Sequence, residues 1–295
     1  MSILIKKNNK VIVQGITGRE GMFHTEQMIN YGTNIVGGVT PGKGGKKIMN
    51  VPVFNTVEDA VNNTEAYISV IFVPADYSTD AIIESIFENI KIIVCITEGI
   101  PVLDMIRIKY YLKNKKTILI GPNCPGIISP EESKVGIMPN SVFKKKGNVG
   151  IISRSGTLTY EAADQIMKMG HGISTAIGVG GDSIIGTDIK KILELFLEDS
   201  DTNCIVIIGE IGGQQEIDAI KWMINYHKLK NKPIISFIAG KTAPKGKIMG
   251  HAGAIIKNKI ETAQVKMDIL KKLGVHIVYS PDEIGLTVDN VINGE

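Results

Sequence analysis

Short runs rich in isoleucine and valine recur along the first half of the chain, and longer segments of mixed polarity separate them. Each run predicts a buried strand, and each intervening segment predicts a helix. Strands that alternate with helices are typical of a parallel sheet. We therefore predict a doubly wound, Rossmann-like α/β fold, with strands near 11–13, 34–38, 67–73, 90–95 and 117–120 and helices near 19–31, 75–89 and 101–114.

The alternation stops at residues 121–147, which are rich in proline, glycine and charge, and we interpret this stretch as a connection. It then restarts, with strands near 148–153, 174–180, 204–209, 233–239 and 275–279 and helices near 157–169, 187–199, 214–229, 259–273 and 281–291. A chain of 295 residues is long for one core. We predict a first domain at 1–125 and a second, flavodoxin-like parallel α/β domain at 126–295.

Composition excludes several classes of protein. A net charge of +3 is too small to indicate a nucleic-acid partner. The amino terminus has too short an apolar run for a signal peptide, and no stretch approaches the roughly 20 apolar residues that span a bilayer, so we expect a cytoplasmic protein with no membrane partner. Cys95 and Cys204 lie in apolar runs and Cys124 in a Pro/Gly loop, a spacing that predicts neither disulfides nor a metal site.

A glycine-rich turn follows the first predicted strand. Gly15, Gly18 and Gly21 lead into a helix whose first amides and dipole can hold a phosphate. The second strand is followed by lysines, Lys43 among them, where NAD enzymes carry an acidic residue for the ribose hydroxyls. A phosphorylated ribose fits better, as in NADP or coenzyme A. The alternative is a tight turn beside a solvated basic loop.

Two other strings resemble triphosphate loops without their full chemistry. The string Gly37–Lys43 is followed by Gly44, so the hydroxyl that would hold magnesium is missing. The string Gly240-Lys241-Thr242 lacks the upstream glycine. If a nucleotide drives a reaction here, we expect another chain to bind it.

His251 lies in a loop rich in glycine and lysine. Neutral imidazole is a nucleophile near pH 7, and Gly250 and Gly253 permit a phosphate to approach the backbone closely. His251 is therefore a candidate phosphoryl carrier. The alternative is an ordinary loop histidine.

Two further segments offer partners for His251. Ser155 and Thr157 lie at a predicted strand-to-helix turn, where amides and hydroxyls can neutralise a phosphoryl group or simply cap the helix. Glu210 ends a predicted strand and either accepts a hydrogen bond from the imidazole or is an exposed edge carboxylate. Cys124 is interpreted as a ligand contact and not a nucleophile. The remaining histidines, His24, His171, His227 and His276, are interpreted as structural or solvent-facing.

Several motifs in fixed order resemble the alpha subunits of succinate–CoA ligases over nearly the whole chain. They are Gly-Ile-Thr-Gly-Arg-Glu-Gly (15–21), Gly-Val-Thr-Pro-Gly-Lys-Gly-Gly (38–45), Ile-Thr-Glu-Gly-Ile-Pro (96–101), Gly-Pro-Asn-Cys-Pro-Gly (121–126), Ser-Arg-Ser-Gly-Thr-Leu-Thr-Tyr-Glu (153–161) and Gly-His-Ala-Gly-Ala (250–254). The resemblance implies reversible formation of succinyl-CoA from succinate, CoA and ATP or GTP, through a phosphohistidine and succinyl phosphate.

The resemblance also implies roles for individual residues. His251 would carry the phosphoryl group and Glu210 would orient its ring, while Ser155, Gly156 and Thr157 would hold the phosphoryl group and Tyr160 would lie near the carboxylate substrate. The residues that would contact CoA are Thr17, Gly18, Arg19, Glu20, Lys43, Val73, Pro74, Ile96, Thr97 and Glu98, with Asn123 and Cys124 near its thiol. ATP or GTP and Mg²⁺ would lie mainly on an ATP-grasp beta subunit, in an αβ or α2β2 assembly.

The chain departs from the common family pattern at a few positions. Arg19 and Glu20 replace smaller polar residues, so their expected CoA contacts are mostly through the backbone, and Ser183 lies where proline is common. Two alternatives remain open from sequence: a malate–CoA ligase subunit, in which the carboxylate substrate alone differs, and a CoA- or NADP-responsive Rossmann regulator.

Overall fold

The computed structural model describes residues 2–226 and 232–294, which form two α/β halves, each built on a seven-stranded sheet. The elements of the first half are β1 (Val11–Gln14), α1 (Arg19–Tyr31), β2 (Ile35–Val39), β3 (Lys47–Ile48), β4 (Val51–Phe54), α2 (Val57–Thr64), β5 (Ile68–Ile71), α3 (Ala75–Phe87), β6 (Ile92–Cys95), α4 (Val102–Leu112) and β7 (Ile118–Ile120). They confirm every strand and helix predicted before residue 121.

The first sheet has the strand order β3-β4-β2-β1-β5-β6-β7. Without the short edge strand β3, this is the Rossmann order, in which the chain reverses its direction of travel across the sheet at β1. All pairs are parallel except β3 with β4. Sequence analysis missed residues 47–64, because β3 and β4 are too short to show a period.

The second half begins directly with strands. Its elements are β8 (Gly126–Ser129), β9 (Ser133–Gly136), β10 (Lys146–Ser153), α5 (Gly156–Lys168), β11 (Ile173–Gly178), α6 (Ile189–Glu198), β12 (Cys204–Glu210), α7 (Gln215–Tyr226), β13 (Ile234–Ala239), α8 (Ala263–Lys272), β14 (His276–Val278) and α9 (Ile284–Asn293). Short 3-10 turns lie at Asn140–Val142, Lys259–Glu261 and Pro281–Glu283. The predicted helix at 214–229 ends at Tyr226 as described, and its last predicted positions lie outside the described residues.

The second sheet has the order β14-β13-β12-β10-β11-β8-β9. Its five parallel strands follow the flavodoxin order, so the flavodoxin-like α/β prediction is confirmed. The expectation that residues 121–147 are only a connection was wrong, because β8 and β9 form an antiparallel hairpin that extends the sheet next to β11. The expectation of parallel sheets was also wrong at one edge of each sheet, where β3 and the hairpin of β8 and β9 form antiparallel pairs.

Local sequence explains how these elements form, as α6 shows. Asp188 caps the helix, with its Oδ1 accepting a hydrogen bond from the Lys191 amide at 2.8 Å. The buried residues recur at helical spacing and form one apolar stripe: Ile189, Ile192, Leu193, Phe196 and Leu197. Phe196 packs directly on strand β10, where a Cβ at Gly150 would lie 2.6 Å from its ring.

The two halves share an apolar core. One cluster of buried side chains includes Val70 and Val94 of the first sheet and Ile127 and Ile177 of the second. Burial at about 25 cal/mol per Å² of apolar surface makes this continuous cluster a strong link between the halves. None of the helices in the described part of the chain combines the length and apolar character needed to cross a bilayer.

Candidate active site

The carboxyl ends of strands from both sheets meet around a cavity of about 480 Å³. The loops after β6 and β7 supply one wall, and the turn after β10 and the loop carrying His251 supply the other. The residues that line the cavity are Ile96, Glu98, Asn123, Cys124, Pro125, Ile137, Arg154, Ser155, Gly156, Thr157, Tyr160 and His251. Nine of the residues predicted from sequence to act in catalysis or binding therefore lie at one place: Ile96, Glu98, Asn123, Cys124, Ser155, Gly156, Thr157, Tyr160 and His251.

A hydrogen-bonded row of three ionisable side chains, Arg154, Glu210 and His251, orients the histidine ring. Nδ1 of His251 lies 2.7 Å from Oε2 of Glu210, and Oε1 of Glu210 accepts a hydrogen bond of 2.7 Å from Nε of Arg154. The side chains of Glu210 and Arg154 are 9% and 7% exposed, so Glu210 is a buried carboxylate and not an exposed one at the sheet edge. With Nδ1 engaged by Glu210, Nε2 is the ring nitrogen left for a nucleophilic role.

The loop that carries His251 lies against the loop after β11. The Gly253 amide donates to the Gly181 carbonyl at 3.0 Å, and the Ser183 hydroxyl donates to the Ala252 carbonyl at 3.1 Å. A Cβ at Gly181 would lie 2.3 Å from Cγ of His251, so only glycine permits the imidazole to pack this closely. The position of the ring is therefore set by backbone contacts as well as by Glu210.

The pKa of His251 is raised above its usual 6.5, mainly because the hydrogen bond that its Nδ1 donates to Glu210 stabilises the imidazolium. Desolvation and the charge of Arg154 act in the opposite direction, and Asp182 adds a smaller upward effect. The neutral ring, which carries the reactive lone pair, therefore accumulates only as the pH rises above 6.5.

The first turn of α5 lines the same cavity. Ser155 is the N-cap, with its Oγ accepting a hydrogen bond from the Leu158 amide at 3.4 Å, and Gly156 and Thr157 begin the helix. Helix dipole and first-turn amides favour a phosphoryl group at such a position. Burial raises the pKa of Tyr160 to about 12, so its hydroxyl remains a neutral donor beside this turn.

The loop after β7 carries Asn123 and Cys124 to the cavity. Asn123 Nδ2 donates to Oδ1 of Asp182 at 3.0 Å, which joins the two halves of the chain. Burial raises the pKa of the Cys124 thiol to about 12, and its Sγ lies 3.3 Å from the Cys95 carbonyl. Cys124 is therefore protonated at neutral pH, as expected of a contact residue.

A second cavity, of about 490 Å³, lies at the carboxyl ends of β1, β2 and β5, where the Rossmann order reverses. Gly15, Gly18, Val73 and Pro74 are among its lining residues. Gly18 caps α1 without a side-chain hydrogen bond, so the first amides of this helix are available to an anion.

The other residues predicted to contact CoA lie near this second cavity. Lys43 Nζ is 3.3 Å from Oγ1 of Thr17, and Thr97 Oγ1 donates to the Val73 carbonyl at 2.7 Å. Arg19 and Glu20 occupy the exposed first turn of α1 and line neither cavity.

Sequence analysis missed two residues of the first cavity region, Arg154 and Asp182. Each follows a buried strand of the second sheet, and Arg154 lies inside a motif already singled out for its hydroxyls. Their positions after the ends of predicted strands were the signal in the sequence that could have identified both residues. Within residues 2–226 and 232–294, no group of three or more His, Cys, Asp or Glu side chains is arranged to hold a metal ion.

The other described histidines lie outside the first cavity. His171 Nε2 is 2.8 Å from Oδ1 of Asp289, and His276 is exposed in the edge strand β14. His24 stacks on Phe72, and burial lowers its pKa. His227 lies outside the described residues.

Comparison with known proteins agrees with this arrangement. Residues 6–99 match the CoA binding domain family, and residues 152–275 match the CoA-ligase family. The subunit alpha of ADP-forming succinate–CoA ligase from Staphylococcus epidermidis is 53% identical over 98% of this chain and 94% of its own length. The same subunit from Staphylococcus aureus is 52% identical over the same shares.

Solved structures share the fold. ATP citrate lyase from Methanothrix soehngenii, in complex with citrate and coenzyme A, aligns with a TM-score of 0.90 at 24% identity over 99% of this chain, which spans about half (51%) of that one. Dinucleotide forming acetyl-coenzyme A synthetase 1 from Ca. Korarchaeum cryptofilum aligns with a TM-score of 0.73 at 21% identity, over 94% of this chain and 59% of that chain. Likeness at this identity shows the fold alone.

Two α/β halves, a CoA-binding one and a ligase one with a histidine cavity between them, define a CoA-dependent ligase. The relatives then specify which one. The chain belongs to the family of succinate–CoA ligase alpha subunits. They favour this family over a malate–CoA ligase or a CoA- or NADP-responsive regulator.

Proposed function

We propose that this chain is the alpha subunit of an ADP- or GDP-forming succinate–CoA ligase, which converts succinate, CoA and a nucleoside triphosphate reversibly into succinyl-CoA, the diphosphate and phosphate. The observation that carries the proposal is the contact of 2.7 Å between His251 Nδ1 and Glu210, in a cavity that also holds the first turn of α5 and Cys124. An oriented histidine, a helix N-terminus and a thiol in one cavity support this activity.

The geometry supports a relay of three transfers. Nε2 of His251 attacks the terminal phosphorus, the diphosphate leaves, and Glu210 accepts a hydrogen bond from the Nδ1 proton throughout. A succinate carboxylate oxygen then attacks the phosphohistidine, and Nε2 leaves as succinyl phosphate forms. Finally the CoA sulfur attacks the acyl carbon, loses its proton and releases phosphate. Ser155, Gly156 and Thr157 stabilise the phosphoryl charge in each step.

The nucleotide belongs to the proposed partner. The described part of the chain carries no triphosphate loop, because the string at 37–43 lies along β2 and the loop after it. An ATP-grasp beta subunit with Mg²⁺ bound to its nucleotide supplies that site, in an αβ or α2β2 assembly. The mass of the purified complex distinguishes these two assemblies, and its labelling by ATP or GTP identifies the nucleotide.

CoA lies along the first half in this proposal. Its phosphates contact the amides of Gly18, Arg19 and Glu20 with Thr17 and Lys43 nearby, since α1 begins without a side-chain cap. The remaining contacts lead towards the thiol end: Val73, Pro74, Ile96, Thr97, Glu98, Asn123 and Cys124. Tyr160 lies beside the carboxylate substrate. We place the domain boundary between 125 and 126, where the first sheet has ended and β8 begins, and the enzyme in the cytoplasm.

The test is phosphorylation of His251 in the chain purified with its co-expressed partner. Incubation with the magnesium nucleotide should add one acid-labile phosphoryl group to the intact mass, and succinate and CoA together should remove it. His251→Asn should abolish the label and turnover while CoA binding persists. His276→Asn, the same change at an exposed strand position, should leave both intact. Turnover retained by His251→Asn overturns the proposal.

A further inference from the structure

Arg154 has no role in the relay as described, yet it is one of the most deeply buried cations beside the cavity. Its side chain is 7% exposed, and its Nε donates to Oε1 of Glu210 at 2.7 Å. Its Nη2 donates to the main-chain carbonyl of Asp182 at 3.1 Å. Because Oε2 of the same carboxylate faces His251, the two oxygens of Glu210 are divided between Arg154 and the imidazole.

The main chain of Glu210 is fixed independently of Arg154. Lys266 Nζ donates to the carbonyls of Glu210 and Gly212 at 2.7 and 2.8 Å and to Oε2 of Glu216 at 2.7 Å. The Glu210 amide donates to Oε1 of Glu216 at 3.4 Å. These contacts leave the rotation of the Glu210 carboxylate group open. Arg154 fixes that rotation through Oε1, while His251 contacts Oε2.

The charges around His251 oppose one another. Glu210, on β12, favours the protonated ring, and so does Asp182, from the loop after β11. Arg154, at the end of β10, opposes protonation. Glu98, after β6, lines the cavity and raises the pKa of Asp182. Among the described charged groups that shift the pKa of His251, Arg154 is the one cation, so without it the imidazole would hold its proton into a higher pH range.

We infer that Arg154 is a positioning residue that aims the Glu210 carboxylate at Nδ1 of His251 and keeps the ring available as a nucleophile. The inference rests on the proposed function for its consequence in turnover, but its electrostatic part concerns the resting chain alone. Arg154 and Glu210 thus have opposite effects on the pKa of His251. A test can therefore compare the direction of the pKa change that each substitution causes.

The first measurement is the titration of His251 by NMR. The full chain is prepared with 13Cε1-labelled histidine and bound to its unlabelled partner. The His251 resonance is identified as the one that is lost in His251→Asn. Arg154→Gln should raise the titration midpoint by about 0.5–1 pH unit, and Glu210→Gln should lower it. Arg107→Gln, the same change at an exposed arginine of α4, should leave it unchanged. An unmoved or lowered midpoint in Arg154→Gln overturns the inference.

The second measurement is single-turnover phosphorylation of His251 by the magnesium nucleotide across the same pH range. Arg154→Lys keeps the positive charge but loses the planar guanidinium, which contacts Glu210 and the Asp182 carbonyl with separate nitrogens. The rate of phosphorylation should therefore rise with pH at the same midpoint as in wild type, while its maximum at high pH falls about tenfold. A wild-type plateau in Arg154→Lys overturns the positioning role, and this arm stands if Arg154→Gln does not fold. Absence of label in the wild-type complex contradicts the proposed function alone, because the NMR titration does not depend on turnover.

Discussion

At the scale of single residues, Cys124 shows how burial determines chemistry. It lies where a thiol substrate would arrive, but desolvation raises its pKa to about 12, and the largest opposing effect is one hydrogen bond from the Gly126 amide. At pH 7 only about one molecule in 10⁵ would carry the thiolate, the reactive form of cysteine. A covalent role for Cys124 is therefore inconsistent with its surroundings.

We expect Cys124→Ser to keep turnover within about threefold of wild type, since this corresponds to less than 1 kcal/mol in the barrier. The serine hydroxyl can donate to the Cys95 carbonyl that the thiol now contacts at 3.3 Å. The measurement is steady-state kcat and the KM for CoA in the assembled enzyme. Cys204→Ser, at a buried thiol in β12 remote from the cavity, is the matched control. Loss of kcat in Cys124→Ser alone would contradict this prediction.

Single residues also mark the limit of sequence reasoning. His251 could be singled out because it lies in a glycine-rich loop, and Glu210 and Ser155 because each lies beside glycine at a predicted strand or helix end. The strand end also marks Arg154, but its role could not be predicted, because that role depends on strand register. Ser153 pairs with Ile208, and this register brings Arg154, the residue after β10, beside Glu210 at the end of β12. A register between strands 50 residues apart in sequence is not visible in local patterns.

At the scale of elements, the hairpin of β8 and β9 shows the same limit. Each strand has four residues, and all eight are buried. Gly126 and Gly136 lie within the strands, and Pro125 and Pro130 lie on either side of β8. A run this short shows no period, so local composition predicts a loop. The long parallel strands were predictable because an Ile- and Val-rich run extends along most of the length of each strand.

The turn after β12 depends on a buried ion pair between helices. Lys266 of α8 and Glu216 of α7 are 0% and 1% exposed, with 2.7 Å between Nζ and Oε2. Lys266→Met should lower the free energy of unfolding by about 3–5 kcal/mol, because it leaves a buried carboxylate unpaired. Urea denaturation followed by circular dichroism measures the change.

Two further variants test the cause of that loss. Lys191→Met removes a lysine from the half-exposed pair with Glu194 on α6, and we expect a change below about 1 kcal/mol. Adding Glu216→Met to Lys266→Met should recover part of the stability, since the unpaired charge is gone while the carbonyls of Glu210 and Gly212 still lack their donor. Equal losses in Lys191→Met and Lys266→Met would show that burial of the pair has no effect.

At the scale of the whole molecule, two sheets of different topology present their carboxyl edges to one cavity. Parallel sheets place their ligand loops at that edge, so this arrangement brings the CoA-binding half to the half that carries His251. Sequence predicted both halves, because each has its own strand alternation. Their arrangement was not predictable, since it depends on a shared apolar core and on hydrogen bonds between residues far apart in sequence, those of the segment 121–126 among them.

Asn123 is the residue of that loop that joins the halves most directly. Its amide donates to Thr97 of the first half at 2.8 Å, its carbonyl accepts from the Gly181 amide at 3.1 Å, and its side chain donates to Asp182 at 3.0 Å. Its φ of +53° lies in the left-handed region. Asn123→Gly therefore removes the side chain without adding backbone strain.

We expect Asn123→Gly to slow the CoA-dependent discharge of phosphohistidine about tenfold, since a lost hydrogen bond to a carboxylate costs about 1.5 kcal/mol. Phosphorylation of His251 by the nucleotide should change little, because the Glu210 and Arg154 contacts remain. Rapid-quench kinetics of the two half-reactions separates these effects. Asn114→Gly, at an exposed position with φ of +68°, controls for the substitution itself. If both half-reactions slowed equally, Asn123 would support the cavity as a whole; slowing of discharge alone indicates that this loop aligns the thiol with the acyl phosphate across the two halves.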